Sequence, residues 1–185
     1  MKSFKRTLVG LAVATALAAG SAQAQVSDNV VKIGVLSDMS SLYTDLAGAG
    51  SVLAAKMAVE DSGIEKRGYK VEFVSADHQN KADVGSAIAR QWYDVDKVDV
   101  IVDVPNSGVA LAVNQITKDK GKAFLVSGAA SSDLTGKACS PNTIHWTYDT
   151  WMLANGTGNA IVKTGGDSWF FLTADYAFGH ALERD

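Results

Sequence analysis

Apolar, β-branched runs recur along this sequence at intervals that leave room for one helix between each pair. This alternation restricts the fold more than any other feature. Val30–Leu36 reads as a first strand, followed by a small, polar loop from Ser37 to Leu46. Val52, Leu53, Ala55, Met57, Ala58 and Val59 then predict a helix running to Asp61 and stopped at Gly63. Tyr69–Val74 alternates as a second strand, and Asp83–Tyr93 carries apolar residues at helical spacing. Val98–Val102 and Ala123–Val126 are further strands, separated by a helix from Gly108 to Lys118 that Asn106 or Ser107 caps. Thr150–Lys163 predicts another helix despite Gly156 and Gly158. Ser168–Thr173 reads as a fifth strand, and Tyr176 opens a last helix. The expected fold class is α/β, a doubly wound parallel sheet with helices on both faces.

Composition narrows the function. Of 185 residues 47% are hydrophobic, enough for a packed core and too many for a disordered chain. With 17 basic against 20 acidic residues the formal charge is −3, which disfavours nucleic acid as the main partner. Lys2, Lys5 and Arg6 precede an apolar run, Leu8–Ala19, and then Ala22-Gln23-Ala24, the order of a secretory signal peptide cleaved after Ala24. The run is short for a membrane span. Cleavage would leave 161 residues with a formal charge of −6, as an exported protein.

Signals for catalysis are weak. Ala47–Val52 resembles a glycine-rich dinucleotide turn, but Leu53 stands at the third glycine position and about a dozen residues separate the turn from its strand. Small residues that let a helix approach closely explain it better. No GxxxxGK[ST] loop, GxSxG elbow or HExxH helix occurs. Asp77-His78 after the second strand reads as an acid–base pair or, more commonly, as a loop pair capping the next helix. One cysteine, Cys139, and three scattered histidines supply neither a disulfide framework nor a metal set, so no cofactor or metal is expected. Three polar loops, Ser37–Asp45, Pro105–Gly108 and Ser127–Ser132, fall instead at the carboxyl ends of strands, where open parallel sheets bind ligands. The N–H groups of a helix capped at Asn106 or Ser107 would favour a carboxylate there.

Several segments resemble periplasmic substrate-binding proteins of the Leu/Ile/Val-binding type (type I) that serve ABC transporters. They are Val31–Ser40, Tyr43–Gly48, Ala54–Asp61, the surroundings of Ser107, Ser127–Thr135 and Asp175–Gly179. The resemblance implies a two-lobed protein closing on a small molecule, with residues 25–145 as the first lobe. Residues 146–185 would then be the crossover and the start of the second lobe. Relatives of about twice this length imply a chain truncated in that lobe, with part of the first lobe built by returning chain. Ser107 matches the serine that contacts a ligand carboxylate in the amino-acid binders. Ala129, Ala130 and Ser131 match the segment clamping it by backbone N–H and a hydroxyl, and Tyr176 matches a tyrosine closing over the ligand. Tyr43 in the first cleft loop is placed to stack on an apolar ligand.

One departure bears on the ligand. Where several amino-acid binders carry Arg-Thr at the crossover, this sequence has Trp146-Thr147, then Tyr148. With Tyr43 and Tyr176 these form an aromatic wall, which favours an aromatic or apolar carboxylate over a branched-chain amino acid. The implied partners are the ligand and the membrane permease and ATPase complex of an importer, with the full-length receptor a monomer and no nucleic acid involved. A periplasmic sensor for a signalling partner, or an exported α/β hydrolase using Ser107, are the alternatives.

Overall fold

The structure, a computed structural model, describes residues 28–185; the signal peptide expected at 1–24 lies outside the described residues. Five parallel strands form one sheet: β1 (Val30–Ser37), β2 (Lys70–Asp77), β3 (Val100–Asp103), β4 (Ala123–Val126) and β5 (Thr143–His145). Their spatial order is β2-β1-β3-β4-β5. The helices are α1 (Gly48–Ser62), α2 (Ala82–Asp94), α3 (Ser107–Lys120), α4 (Thr150–Lys163) and α5 (Ala177–Arg184). Because β1 lies between β2 and β3, the chain reverses its winding direction there. The crevice between the ends of β1 and β3 is the topological switch point.

One face of the sheet carries the core. Leu36, Ile101, Phe124 and Val126 point into a cluster with Ala89, Trp92 and Tyr93 of α2 and Val109, Val113 and Ile116 of α3. The α2 residues Gly85, Ala89, Trp92 and Tyr93 are buried at helical spacing, which is why this segment docks so firmly. Gly34 is required by that docking, since a Cβ there would lie 2.5 Å from two ring carbons of Trp92.

The other face departs from expectation. Val31, Ile33, Val71, Val102, Leu125, Ile144 and Trp146 line an open concavity of about 600 Å³ beside α1, so this face is covered by α1 over β1 and β2 and left bare over β3 to β5. Ile144 is 54% and Trp146 80% exposed. The predicted apolar face of α1 is likewise unburied; Gly48 is its one buried residue. Close approach explains Gly48, which has φ +49° and whose added Cβ would sit 3.1 Å from the Asp38 carbonyl oxygen. It does not explain Gly50, which meets nothing within 4 Å.

The expected strand Ser168–Thr173 is a second correction. These residues pair with no strand, and Phe170 and Leu172 are 91% and 95% exposed. A strand is stabilised by a neighbour's backbone, and none of the described residues offers one here. The fifth strand is Thr143–His145, too short and too mixed in polarity to stand out in the sequence.

Candidate functional site

At the switch point the chain turns sharply. Asp103 and Val104 both adopt positive φ, 80° and 57°. A β-branched residue there is strained, and such strain persists only where surroundings hold it. The Ser37 hydroxyl donates to Asp103 Oδ2 at 2.6 Å, and the Ser127 hydroxyl donates to Asp103 Oδ1 at 3.1 Å. Ser37 Oγ in turn accepts from the Gly48 N–H at 2.9 Å. Gly128 backs against Pro105, where a Cβ would lie 2.9 Å from Pro105 Cα. This frame aims Asn106 and Ser107 at the sheet edge. Ser37 and Asp103 are absent from the sequence-based candidates, and an aspartate closing an apolar strand was the one available hint.

Asn106 is the cap of α3, its Oδ1 accepting from the Val109 N–H at 3.0 Å. Ser107, 1% exposed, comes together with Ala130 and Ser131, but not as separate groups facing an open position. Ser107 Oγ accepts from the N–H of both Ala130 and Ser131 at 3.2 Å, leaving its own proton to donate. The oxygen thus occupies the kind of position a ligand carboxylate oxygen would take. Ser131 Oγ accepts from the Asp133 N–H and caps the turn Ser132–Leu134, so it is engaged locally. Ala129 contributes its carbonyl, which accepts from His145 Nε2 at 2.7 Å.

The tyrosines meet from opposite ends of the chain. Tyr43 and Tyr176 are joined hydroxyl to hydroxyl. Burial and the Tyr43 hydroxyl both push the Tyr176 phenol well above its ordinary range, with Tyr148 close enough to add to the effect. Tyr148 itself is exposed. Tyr43 is held by Asp38, whose Oδ2 accepts from the Tyr43 N–H at 2.8 Å and from the Ser41 hydroxyl at 2.7 Å. Burial raises the Asp38 carboxyl, but hydrogen bonds from Ser41, Tyr43 and Ser40 outweigh it and keep the group below the usual carboxylate range.

Helix α5 brings Tyr176 here because it docks at both ends. Gly108 at the start of α3 lies against Ala177, an added Cβ being 4.0 Å from the Ala177 Cβ. At the far end Asp185 Oδ2 accepts from the Ser132 and Thr150 hydroxyls, each at 2.6 Å. Arg184 reaches Asp133 at 3.1 Å.

A larger concavity of about 880 Å³ lies elsewhere, between α4, the segment 169–174 and α5, and contains none of the candidate residues. Among the described residues no group of three or more His, Cys, Asp or Glu is placed to hold a metal ion. No helix among them is long and apolar enough to cross a membrane. Cys139 is free and exposed.

Residues 30–185 match the family described as periplasmic binding protein. A periplasmic binding protein from Burkholderia mallei is 50% identical over 84% of this chain and 42% of its own, with a TM-score of 0.80. A branched chain amino acid ABC transporter periplasmic ligand-binding protein from Burkholderia xenovorans LB400 is 42% identical over 83% of this chain and 41% of its own, TM-score 0.72. A solute-binding protein from R. palustris in complex with 4-hydroxybenzoate shares the fold at 23% identity and TM-score 0.69, over 84% of this chain and 42% of its own. The chain thus spans about 42% of the length of such structures. No curated protein matches it. The strand order, the switch-point loops and the match over nearly all described residues make this chain a member of the periplasmic binding protein family, of the Leu/Ile/Val-binding type.

Proposed function

We propose that this chain is the front half of an exported two-lobed receptor that binds a small carboxylate and delivers it to an ABC importer. In this reading residues 1–24 are the cleaved signal, 25–145 the first lobe and 146–185 the crossover and start of the second. The apolar face beside α1, bare over β3 to β5, fits a first lobe whose cover comes from further chain. The permease and ATPase of the importer are the partners, and the receptor works as a monomer in the periplasm.

The observation that carries the proposal is the joining of Ser107 Oγ with the Ala130 and Ser131 N–H groups at the start of α3. The Ser107 hydroxyl proton and the helix N-terminus suit an oxygen anion, which would take over from Ser107 Oγ as acceptor for the Ala130 and Ser131 N–H groups. Tyr43, Tyr148 and Tyr176 supply an aromatic wall beside it, which favours an aromatic or apolar acid. The B. xenovorans relative's description as a branched chain amino acid protein keeps such amino acids in the comparison.

Among the described residues no histidine is hydrogen-bonded to Ser107, which weighs against the hydrolase alternative. His78 Nδ1 accepts from Asn80, His145 Nε2 bonds the Ala129 carbonyl, and His180 Nε2 bonds Asp175. Calorimetric titration of the full-length protein with benzoate, 4-hydroxybenzoate and L-leucine tests the function. Saturable binding of at least one, lost in Ser107→Ala without turnover of esters, is expected. Absence of binding to all carboxylates would sink it.

A further inference from the structure

The loop after β2 contains a feature that the carboxylate site does not itself explain. Gln79 and Asn80 are consecutive non-glycine residues with positive φ, 52° and 57°. Each such residue is costly, so something must hold the pair. Asp77 Oδ1 accepts from the Gln79 N–H at 2.8 Å, and His78 Nδ1 accepts from the Asn80 N–H at 3.0 Å. Asn80 Oδ1, held by that backbone, accepts from Asn106 Nδ2 at 2.7 Å. Because Nδ2 is bound this way, the other end of the Asn106 amide, Oδ1, faces the Val109 N–H and caps α3. A continuous series of bonds therefore runs from the His78 ring to the residue immediately before Ser107.

His78 is fully buried. Its Nδ1 is an acceptor, so the ring proton sits on Nε2, which has no hydrogen-bond partner among the described residues. Three carboxylates on neighbouring segments lie close enough to favour a charge on the ring: Asp38 after β1, Asp77 at the end of β2 and Asp103 at the end of β3. From α2 the near residue is Gly85, and the charged residues of that helix, Asp83, Arg90 and Asp94, are exposed.

We propose that Asn80 is a positioning residue for the Asn106–Ser107 carboxylate site, and that protonation of His78 releases it. A proton on Nδ1 would turn the acceptor into a donor pointing at the Asn80 N–H, breaking the bond that holds the loop. Asn106 would then lose the partner that orients its amide, and the start of α3 would lose its cap. Burial lowers the affinity of His78 for a proton more than the three carboxylates raise it, so the ring is neutral at neutral pH and release belongs to solution more acid than an ordinary imidazole requires. The inference rests on the carboxylate-site reading for its effect on ligand, though not for the coupling itself.

Two measurements on the full-length protein test it. Titration with benzoate and 4-hydroxybenzoate between about pH 5 and 8 reads affinity, in a range where such carboxylates stay ionised. Nuclear magnetic resonance of the ligand-free protein reads the Asn106 side-chain amide and the His78 ring. Asn80→Gly keeps the positive φ and deletes the acceptor, and should weaken binding about tenfold. Asn80→Asp keeps the acceptor and should restore it. His78→Asn places a non-titrating acceptor near the same point, and should bind as wild type at pH 8 while losing the fall in affinity on acidification. The Asn106 amide signal should move with the His78 titration in wild type and stay fixed in His78→Asn. Unchanged binding in Asn80→Gly, or an Asn106 signal indifferent to His78, would overturn the proposal. If no probe binds wild type, the carboxylate reading fails, and the Asn106 signal still decides the coupling.

Discussion

The Ser37 hydroxyl donates to Asp103 at 2.6 Å, tying the end of β1 to the end of β3 across 66 residues of sequence. Both residues are buried, and the bond sits where the winding of the sheet reverses. Asp103 holds the strained turn that presents Asn106 and Ser107, so the pair supports the site without belonging to it. Ser37→Ala leaves a buried carboxylate oxygen short of one donor and the Gly48 N–H short of its acceptor. A loss of about 1–3 kcal/mol in urea unfolding is expected. No measurable change would show that the turn is held by Ser127 alone.

Gly34→Ala probes the packing of α2. The added methyl meets the Trp92 ring at 2.5 Å and the Val98 side chain at 3.2 Å, which leaves it little room. Overpacking of this kind costs about 1–3 kcal/mol. Tryptophan fluorescence should report a displaced Trp92, and a midpoint equal to wild type would refute the contact.

Tyr93 supplies an alkaline limit to stability. Burial pushes its phenol up to about 12, despite its hydrogen bond with the Thr117 hydroxyl. An acid whose folded value lies above its unfolded value of 10.0 stabilises the fold fully below pH 10. That contribution, about 2–3 kcal/mol, is lost as pH rises through 10 toward 12. Tyr93→Phe should flatten the stability profile in this window. An unaltered slope would mean other groups govern it.

Tyr43 and Tyr176 should act as a pair. Removing either hydroxyl leaves the other without its partner, so Tyr43→Phe, Tyr176→Phe and the double variant should be non-additive in their effect on benzoate affinity. Strict additivity in a double-mutant cycle would show that the two rings contribute independently.

The bare apolar face predicts how the 185-residue chain behaves alone. Leu125, Ile144 and Trp146 are exposed around the concavity beside α1, and contiguous apolar surface of this sort drives association. Sedimentation should show self-association that Leu125→Lys with Ile144→Lys reduces. A monomer at all concentrations would contradict this.

Much of the fold was legible in the residues because its signals are local. Asn106 before a helical period, Gly63 after one, and β-branched runs such as Val98–Val102 act on their neighbours in sequence. Ser168–Thr173 carried the same kind of signal and formed no strand, since pairing needs a neighbour that composition does not supply. Ser107, Ala130 and Ser131 were identified through family resemblance, and their mutual bonding was not foreseeable from it.

The sequence by itself therefore determined the alternation of strands and helices, the acidic charge and the capped start of α3. Only the tertiary structure decided which loops meet: Ser37 with Asp103, Tyr43 with Tyr176, and Asn80 with Asn106. The reason is that hydrogen bonds between distant loops depend on strand order and register. Those are fixed by which faces can be buried together, a property of the assembled sheet that no single segment carries.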